Sequence, residues 1–176
     1  MANTREIIQN AVYTLICKQP VDEVSVNDII QEAGISRPTF YRYYTDKFDA
    51  ANSIYDQHIS KIREDYLRDN DFEQLMCSFF RIFYDHRAFY LNLLTNIHMQ
   101  NSFFSYWEKM NLEQAFAEIN KKKRSSEIKV AVALYAHGSM FVSWDLIRGK
   151  IDLTPEETAH YVVQDLPPVL KEYYQL

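Results

Sequence analysis

Apolar residues recur along most of this chain at intervals of three or four, which is the spacing of a helix face. The first such stripe is preceded by Asn3 and Glu6, which have the spacing of a capping box, and is followed by Pro20, which stops a helix. Its members are Ile7, Ile8, Ala11, Val12, Leu15 and Ile16. The sequence contains no useful length of strand-like alternation, so the pattern predicts an all-α fold.

Two short helices separated by a tight turn are predicted next, over Ser25–Phe48. Ser25 is positioned to cap the first of them, and Gly34 stands where a left-handed residue ends a helix. Ser36 is positioned to cap the second, and Pro38 falls in its first turn, where a missing N–H costs nothing. This arrangement predicts a helix-turn-helix.

The exposed face predicted for the second of these helices has an unusual composition. Phe40 and Tyr44 are four residues apart and are expected in the core. The remaining face consists of Arg37, Pro38, Thr39, Tyr41, Arg42 and Tyr43. An ordinary solvated face would be rich in Glu and Lys, whereas Arg, Thr and Tyr form hydrogen bonds with phosphates and base edges. We therefore predict DNA contact here over a plain exposed helix.

Longer helices fill the rest of the predicted architecture. A fourth helix is expected from Lys47 to about Leu67, and further helices include phenylalanines 72, 89 and 103. A long helix rich in small residues follows at Ser126–Arg148, and Thr154 caps another that begins at Pro155. We predict a DNA-binding domain at residues 1–48 and a helical regulatory and dimerisation domain at 49–176.

Aromatic residues make up 15% of the chain, with 13 Tyr and 11 Phe, which exceeds what a small helical core needs. Residue by residue, burial in the core is the better explanation. The surplus nevertheless predicts a pocket for a small apolar or aromatic effector. The candidate ligand-binding residues are Phe83, Tyr90, Trp107, Tyr135, His137 and Trp144.

The charge of the chain argues against DNA binding through a broad basic field, because the formal net charge is −5. Through Lys47 the sequence holds five basic and six acidic residues. DNA contact must therefore be local and geometrically specific. The basic run Lys121–Arg124 lacks interleaved aromatics, so we interpret it as a solvated helix end or loop in preference to a DNA patch.

Other classes of function find little support in the sequence. Two distant cysteines and five histidines show no metal-ligand spacing, so no metal and no cofactor is expected. We interpret the pairs Asp56/His58 and Asp85/His86 as surface residues, and an α-helical enzyme is a remote alternative with no catalytic residue assigned.

The expected location is the cytoplasm. The N-terminus has no apolar signal segment, and the two separate cysteines suit a reducing compartment. The apolar stretch between Lys129 and Asp145 is too short to span a bilayer, so no membrane association is expected. This stretch is predicted to be a buried helix.

The N-terminal motifs resemble the tetracycline-repressor (TetR) family of transcription regulators. The resemblance rests on residues 25–29 (SVNDI), 33–36 (AGIS) and 39–44 (TFYRYY), together with Lys47. A weaker resemblance, at 138–149 and 154–157, is to the C-terminal domain of Firmicutes-type members.

The resemblance implies a homodimer that binds a palindromic operator in double-stranded DNA, most simply as a repressor. It assigns Ser25 and Asn27 to phosphates or bases, Arg37, Pro38 and Thr39 to bases, and Tyr41 and Tyr43 to the backbone and groove. Lys47 is expected to contact a phosphate at the start of the fourth helix. The helices Ser126–Arg148 and Pro155–Leu166 would form the dimer interface, and an effector or, alternatively, a protein co-regulator would control binding.

Overall fold

The protein is described here by a computed structural model that covers residues 3–95, 102–117, 119 and 124–174. Within these residues every regular element is helical, so the predicted all-α fold is confirmed. The helices are α1 Thr4–Lys18, α2 Val26–Ala33, α3 Arg37–Tyr43, α4 Lys47–Asp69, α5 Phe72–Asp85, α6 Arg87–Leu93, α7 Phe103–Ala117, α8 Ser126–Ile147, α9 Pro155–Gln164 and α10 Pro168–Lys171. A short 3-10 turn, Val21–Glu23, lies between α1 and α2.

The chain forms two compact units. The first comprises residues 1–60 and 86–106, and the second comprises 61–85 and 107–176. Helix α4 contributes its beginning to the first unit and its end to the second. The predicted division of the chain into two domains, 1–48 and 49–176, stays a prediction.

In the first unit, α1 packs against α2 and α6. Its apolar stripe is buried as the spacing requires, since Ile8 and Val12 are fully enclosed. The predicted capping box at its start is present, with the Asn3 side chain accepting a hydrogen bond from the helix and Glu6 accepting one from the Asn3 backbone. These local signals fix the helix against which the predicted helix-turn-helix packs.

In the second unit, α9 packs along α5, and α8 contacts both α5 and α10. Polar pairs tie α9 to α5: Arg81 forms an ion pair with Glu156, and His160 lies 3.2 Å from the Glu73 carboxylate. The ring of Phe72 stacks on Tyr174 at 4.2 Å between centroids. Helix α5 thus contributes aromatic residues to the core and polar residues to the contact with α9.

Helix α8 differs from its prediction as a buried helix. Its small residues face inward, so that Ala136, Ser139 and Ser143 are buried. The larger apolar side chains Leu134 and Phe141 point outward and are 70% and 52% exposed. Small residues permit close packing inside the unit, and the larger ones are left on an outer apolar stripe.

The length and composition of α8 would also suit a membrane-spanning helix, and it is the one such helix among the described residues. About 39% of its most apolar window is buried inside the protein. Packed helices of soluble proteins satisfy the same length and composition requirement, so this property alone does not identify a membrane segment.

Candidate nucleic-acid interface

The turn between α2 and α3 is built by a glycine and a serine. Gly34 has a φ of +63°, and its N–H donates to carbonyls near the end of α2. The Ile35 N–H donates to the Ile30 carbonyl at 3.2 Å, which completes the turn. The Ser36 hydroxyl then accepts from the Thr39 N–H at 3.3 Å and caps α3. With Phe40 buried beneath, the orientation of α3 follows from these contacts.

Arg37 is held by contacts within the chain. Its Nη1 donates to Asn27 Oδ1 at 3.4 Å, which links the start of α3 to the start of α2. Its guanidinium lies 5.7 Å from the centroid of the Tyr41 ring, within range of a cation–π contact. An arginine ordered in this way loses less side-chain entropy when it forms a bidentate pair with a guanine.

The rest of the α3 face is polar and accessible. Tyr41 is 47% exposed, and Arg42 lies over the Tyr43 ring at 5.2 Å. Thr39 shares a hydrogen bond of 2.8 Å with the Ser36 hydroxyl, which leaves its methyl group as the group available to a partner. Pro38 is exposed beside them. The six predicted α3 contact residues therefore lie together on one short helix.

The carboxylate of Asp28, a residue in the first turn of α2, lies at the N-terminus of that helix. The Asp28 carboxylate accepts hydrogen bonds from the Ser25 N–H at 2.8 Å and from the Ser25 hydroxyl at 2.7 Å. These hydrogen bonds lower the pKa of Asp28 below its ordinary value. A DNA phosphate that approaches Ser25 would meet this negative charge.

The N-terminus of α4 is arranged in the same way. Asp46 accepts from the Asp49 N–H at 2.8 Å, and Asp49 accepts from the Thr45 N–H at 2.8 Å. The Thr45 hydroxyl donates a second hydrogen bond to the Asp49 carboxylate at 3.2 Å. Two carboxylates therefore cap the end of the helix that would otherwise attract a phosphate.

Lys47, the predicted phosphate contact, is directed toward the protein backbone. Its ammonium group donates to the carbonyl oxygens of Val21 at 2.7 Å, Val24 at 2.7 Å and Asp22 at 3.1 Å. These carbonyls belong to the link between α1 and α2. The contact of Lys47 with a DNA phosphate stays a prediction, while the structure shows its ammonium group bound by three backbone carbonyls.

Acidic residues of the first unit gather in a groove of about 530 Å³. Glu23, Asp28 and Glu32 line it together with Leu15, Gln19 and Gln31. None of the predicted contact residues of α3 lines this groove. Three of the six acidic residues counted through Lys47 thus lie away from the α3 face. One of them, Asp28, also contacts Ser25, a predicted DNA-contact residue.

The six predicted effector residues are distributed over both units. Tyr90 is buried in the first unit. In the second unit Phe83 and Trp107 are fully buried with ring centroids 4.8 Å apart, and Trp144 lies beneath the Arg148 guanidinium at 4.7 Å. Tyr135 donates to the Val162 carbonyl at 3.0 Å, and burial raises the pKa of its hydroxyl.

His137 is partly exposed, and its Nε2 lies 3.2 Å from a Glu108 oxygen. That distance suits an ion pair, although Nε2 has no well-aligned hydrogen bond. Of the six candidates, Tyr135 alone lines the open groove of about 470 Å³ between α8 and α9, which also includes Leu134, Gly138 and Tyr161. The assignment of these six residues to an effector stays a prediction.

The sequence-based interpretation of the histidine pairs needs correction. His58 and His86 are partly buried in the first unit, with rings stacked 4.5 Å apart and nearly parallel. His58 Nδ1 pairs with the Tyr90 hydroxyl at 3.0 Å, and His86 Nδ1 pairs with that of Tyr13 at 2.9 Å. Burial, and then the neighbouring His86, lower the pKa of His58 to about 4.

Two further contrasts with the sequence analysis concern Asp56 and the basic run. Asp56 accepts a hydrogen bond of 2.5 Å from the Tyr106 hydroxyl, and burial raises the pKa of its carboxyl group. Residues 121–123 of the basic run lie outside the described residues. Arg124, the last member, donates to the carbonyl of Phe116 in the last turn of α7 and to that of Ile119 just beyond the helix.

Comparison with known proteins agrees with this geometry. Residues 8–49 match the sequence model of the family described as "Bacterial regulatory proteins, tetR family". A segment of 59 residues is 34% identical to an uncharacterized HTH-type transcriptional regulator in the lacX 3' region of Lactococcus lactis subsp. lactis. That match spans 34% of this chain and 30% of the relative's length.

Solved structures share the fold over nearly the whole chain. The dihydroxyacetone kinase operon activator DhaS superposes with a TM-score of 0.63 at 22% identity, covering 93% of each chain. A TetR-family transcriptional regulator from Syntrophomonas wolfei str. Goettingen gives 0.64 at 19% identity, covering 92% of this chain and 91% of that one.

These relatives are named as regulators of transcription, and the N-terminal match includes the whole α2–turn–α3 segment. Residues 8–49 therefore match the tetR family of bacterial regulatory proteins, and the chain shares its all-helical fold with solved transcriptional regulators.

Proposed function

We propose that this protein binds a palindromic DNA operator as a homodimer and represses transcription until a small apolar or aromatic effector releases it. The observation that carries the DNA-binding part is the polar face of α3, where Arg37 is already oriented by Asn27 and Tyr41. Such a protein would act in the cytoplasm, where its operator is found.

Base recognition would follow from the chemistry of this face. Arg37 can donate two hydrogen bonds to a guanine, and the Thr39 methyl group can contact a thymine methyl. Pro38 lies beside them at the base-facing end of α3. Tyr41, Arg42 and Tyr43 would contact the backbone and the groove walls, and Ser25 and Asn27 would contribute from the start of α2.

The homodimer is supported by the outer surface of the second unit. Val130, Leu134 and Phe141 form an exposed apolar stripe along α8, and Tyr161 of α9 is 55% exposed. Gly138 lies on the same face, and a side chain added there would meet nothing within 4 Å. A mid-helix glycine is unfavourable unless it permits close approach of another helix, so a second copy of α8 and α9 is the partner we propose.

Dimerisation would also set the spacing of the two α3 helices. Palindromic half-sites are recognised when the two recognition helices are about 34–36 Å apart, or near a multiple of that distance. An effector bound among the aromatic residues of the second unit would favour a conformation with another spacing. Phe83 and Trp107, which are fully buried and in ring contact, are the candidates for such coupling that lie in the core of the second unit.

A second candidate function is an activator controlled by a protein partner. The specific observation in its favour is that DhaS, an operon activator, shares this fold over 93% of its chain. A reporter gene under control of the operator distinguishes the two, because deletion of a repressor raises expression whereas deletion of an activator lowers it.

The test of DNA binding starts from genomic fragments captured by the purified protein, followed by footprinting to define the operator. We expect a protected palindrome. Arg37→Ala and Tyr43→Ala should each weaken operator binding, with Arg37→Ala costing about 1–3 kcal/mol per half-site. Arg63→Ala, an exposed arginine on α4, is the matched control and should bind like the wild type.

Two results would overturn the proposal. If no genomic fragment is enriched over a control resin, the protein is not an operator-binding regulator under those conditions. If a palindrome is protected but Arg37→Ala and Tyr43→Ala bind it as tightly as the wild type, the recognition surface lies elsewhere.

A further inference from the structure

Lys47 stands at the first position of α4, where a lysine could either contact a DNA phosphate or serve the protein itself. Its ammonium group has three hydrogens, and three carbonyl oxygens lie within 3.1 Å of Nζ. All of its donor capacity is therefore used inside the first unit. A phosphate contact would require it to give up at least one of these hydrogen bonds.

The three acceptors belong to a segment that needs them satisfied. Val21 and Val24 are 1% exposed, so the link is packed against the core at both of its ends. Within this turn the Val21 carbonyl also accepts from the Val24 N–H at 3.2 Å. The hydrogen bonds from Lys47 to the Val21 and Val24 carbonyls are partly buried, and the one to the Asp22 carbonyl is exposed. Carbonyls away from water are costly when unpaired, so the first two contribute most to holding the link.

The link held by Lys47 leads directly into the DNA-binding segment. Val24 precedes Ser25, the cap of α2. Asn27, two residues further on, accepts the hydrogen bond from Arg37 at 3.4 Å. Lys47 thus connects the start of α4 to the residues that set the position of α2 and, through Asn27, the orientation of Arg37.

The start of α4 gives independent reason to doubt a phosphate at Lys47. Carboxylates of Asp46 and Asp49 already accept from Asp49 N–H and Thr45 N–H at this helix end. Two negative charges beside Lys47 compensate its positive charge and would repel a phosphate.

We infer that Lys47 is a positioning residue, which fixes α2 and α3 for base recognition through the Val21–Val24 link, and is not a ligand of the DNA backbone. This inference rests on the operator binding proposed above. It concerns how the recognition surface is held, and it differs from the phosphate role that the family resemblance implies for this position.

The test compares Lys47→Met, which keeps the aliphatic stem, and Lys47→Arg, which keeps the positive charge. For each, affinity is measured on the operator and on a scrambled duplex of equal length, across a salt series, with thermal unfolding followed by circular dichroism. Binding is measured well below the unfolding midpoint, so that every variant is folded in the assay.

A positioning role predicts that Lys47→Met loses about tenfold or more on the operator and binds the scrambled duplex as the wild type does. The slope of log affinity against log salt should be unchanged. Its unfolding midpoint should fall by about 5 °C, because three carbonyls lose their donor. Lys47→Arg should not restore operator affinity, since a planar guanidinium cannot direct three N–H groups from one nitrogen to the three carbonyls around it.

A phosphate role predicts the opposite pattern. Lys47→Met would then weaken both duplexes equally and reduce the salt slope by about 0.9 per subunit, with little change in the unfolding midpoint, and Lys47→Arg would bind like the wild type. That result would overturn the inference. If the wild type binds no operator, the proposed function fails, and an unchanged midpoint in Lys47→Met would separately reject the structural role of Lys47.

Discussion

The face of α3 and the outer face of α8 are both exposed, but they are organised in opposite ways. On α3 the exposed groups are polar, and they are held by partners close in the chain, as Ser36 holds Thr39 and Asn27 holds Arg37. On α8 the exposed groups are large and apolar, including Leu134 at 70% exposure. Polar groups tolerate water and need only to be ordered, whereas an apolar stripe of this kind gains free energy when it is covered.

This contrast assigns the two parts of the proposed function, DNA recognition and dimerisation, to different surfaces. The recognition face is complete within one chain, so substitutions there should change which DNA is bound. The α8 face is expected to be completed by a second chain, so substitutions there should change whether two recognition helices act together.

The largest effect on operator affinity should come from a charged substitution in the exposed apolar stripe of α8. Leu134→Asp introduces a charge into the proposed dimer interface, and we expect a monomer in light scattering. Operator affinity should fall by about 100-fold or more, because the two half-sites are then bound independently. Leu67→Asp is a matched control, since Leu67 is also an exposed leucine, at 65%, but lies on α4. A dimeric Leu134→Asp protein would contradict the proposed interface.

A smaller effect concerns the stability of the first unit and depends on pH. The pKa of His58 is lowered to about 4 in the folded protein, from an ordinary value near 6.5. The unfolded chain therefore binds a proton more readily between these values, and stability falls as pH decreases from about 6.5 toward 4. With allowance for solvent screening, the loss is on the order of 2 kcal/mol.

Urea unfolding at pH 7 and at pH 4.5 measures this dependence. In His58→Gln the amide can still pair with the Tyr90 hydroxyl but does not titrate, so the decrease in stability toward low pH should be reduced. His160→Gln is the control, because His160 is exposed in the second unit. An unchanged pH dependence in His58→Gln would show that the stacked histidine pair does not destabilise the protein in acid.

The capping residues show what the sequence could predict. Asn3, Ser25, Ser36 and Thr154 all cap the helices expected from their spacing, because a cap acts over three residues. Local chemistry also predicted the left-handed Gly34. The helix bounds and the polar face of α3 followed from the same short-range rules.

Contacts between distant segments were beyond those rules. Lys47 meets a carbonyl 26 residues away, and the hydroxyl of Tyr13 meets His86 across 73 residues. The exposed side of α8 was also missed, since an apolar helix gives the same sequence signal whether its larger residues face inward or outward. In each case the missing information was which elements pack together.

The smallest expected effect is on the free energy of unfolding, which should change in opposite directions when Gly34 and Gly138 are replaced by alanine. Gly34→Ala should lower the free energy of unfolding by about 1 kcal/mol, because its φ of +63° disfavours a side chain although space is free around it. Gly138→Ala should raise it by about 0.5–1 kcal/mol when tested in the Leu134→Asp background, where no partner helix is expected. Equal effects of the two substitutions in urea unfolding would contradict the assigned roles.

The most direct test of base recognition by α3 is a base-pair scan of the operator with the wild type and with Arg37→Ala. Every position of one half-site is substituted in turn, and affinities are measured by fluorescence anisotropy at fixed salt. Recognition by a pre-oriented arginine predicts that Arg37→Ala loses discrimination at one G·C pair, by about 1–3 kcal/mol, and retains it elsewhere. A uniform loss at all positions would contradict base recognition by Arg37 and would indicate an electrostatic contact with the backbone.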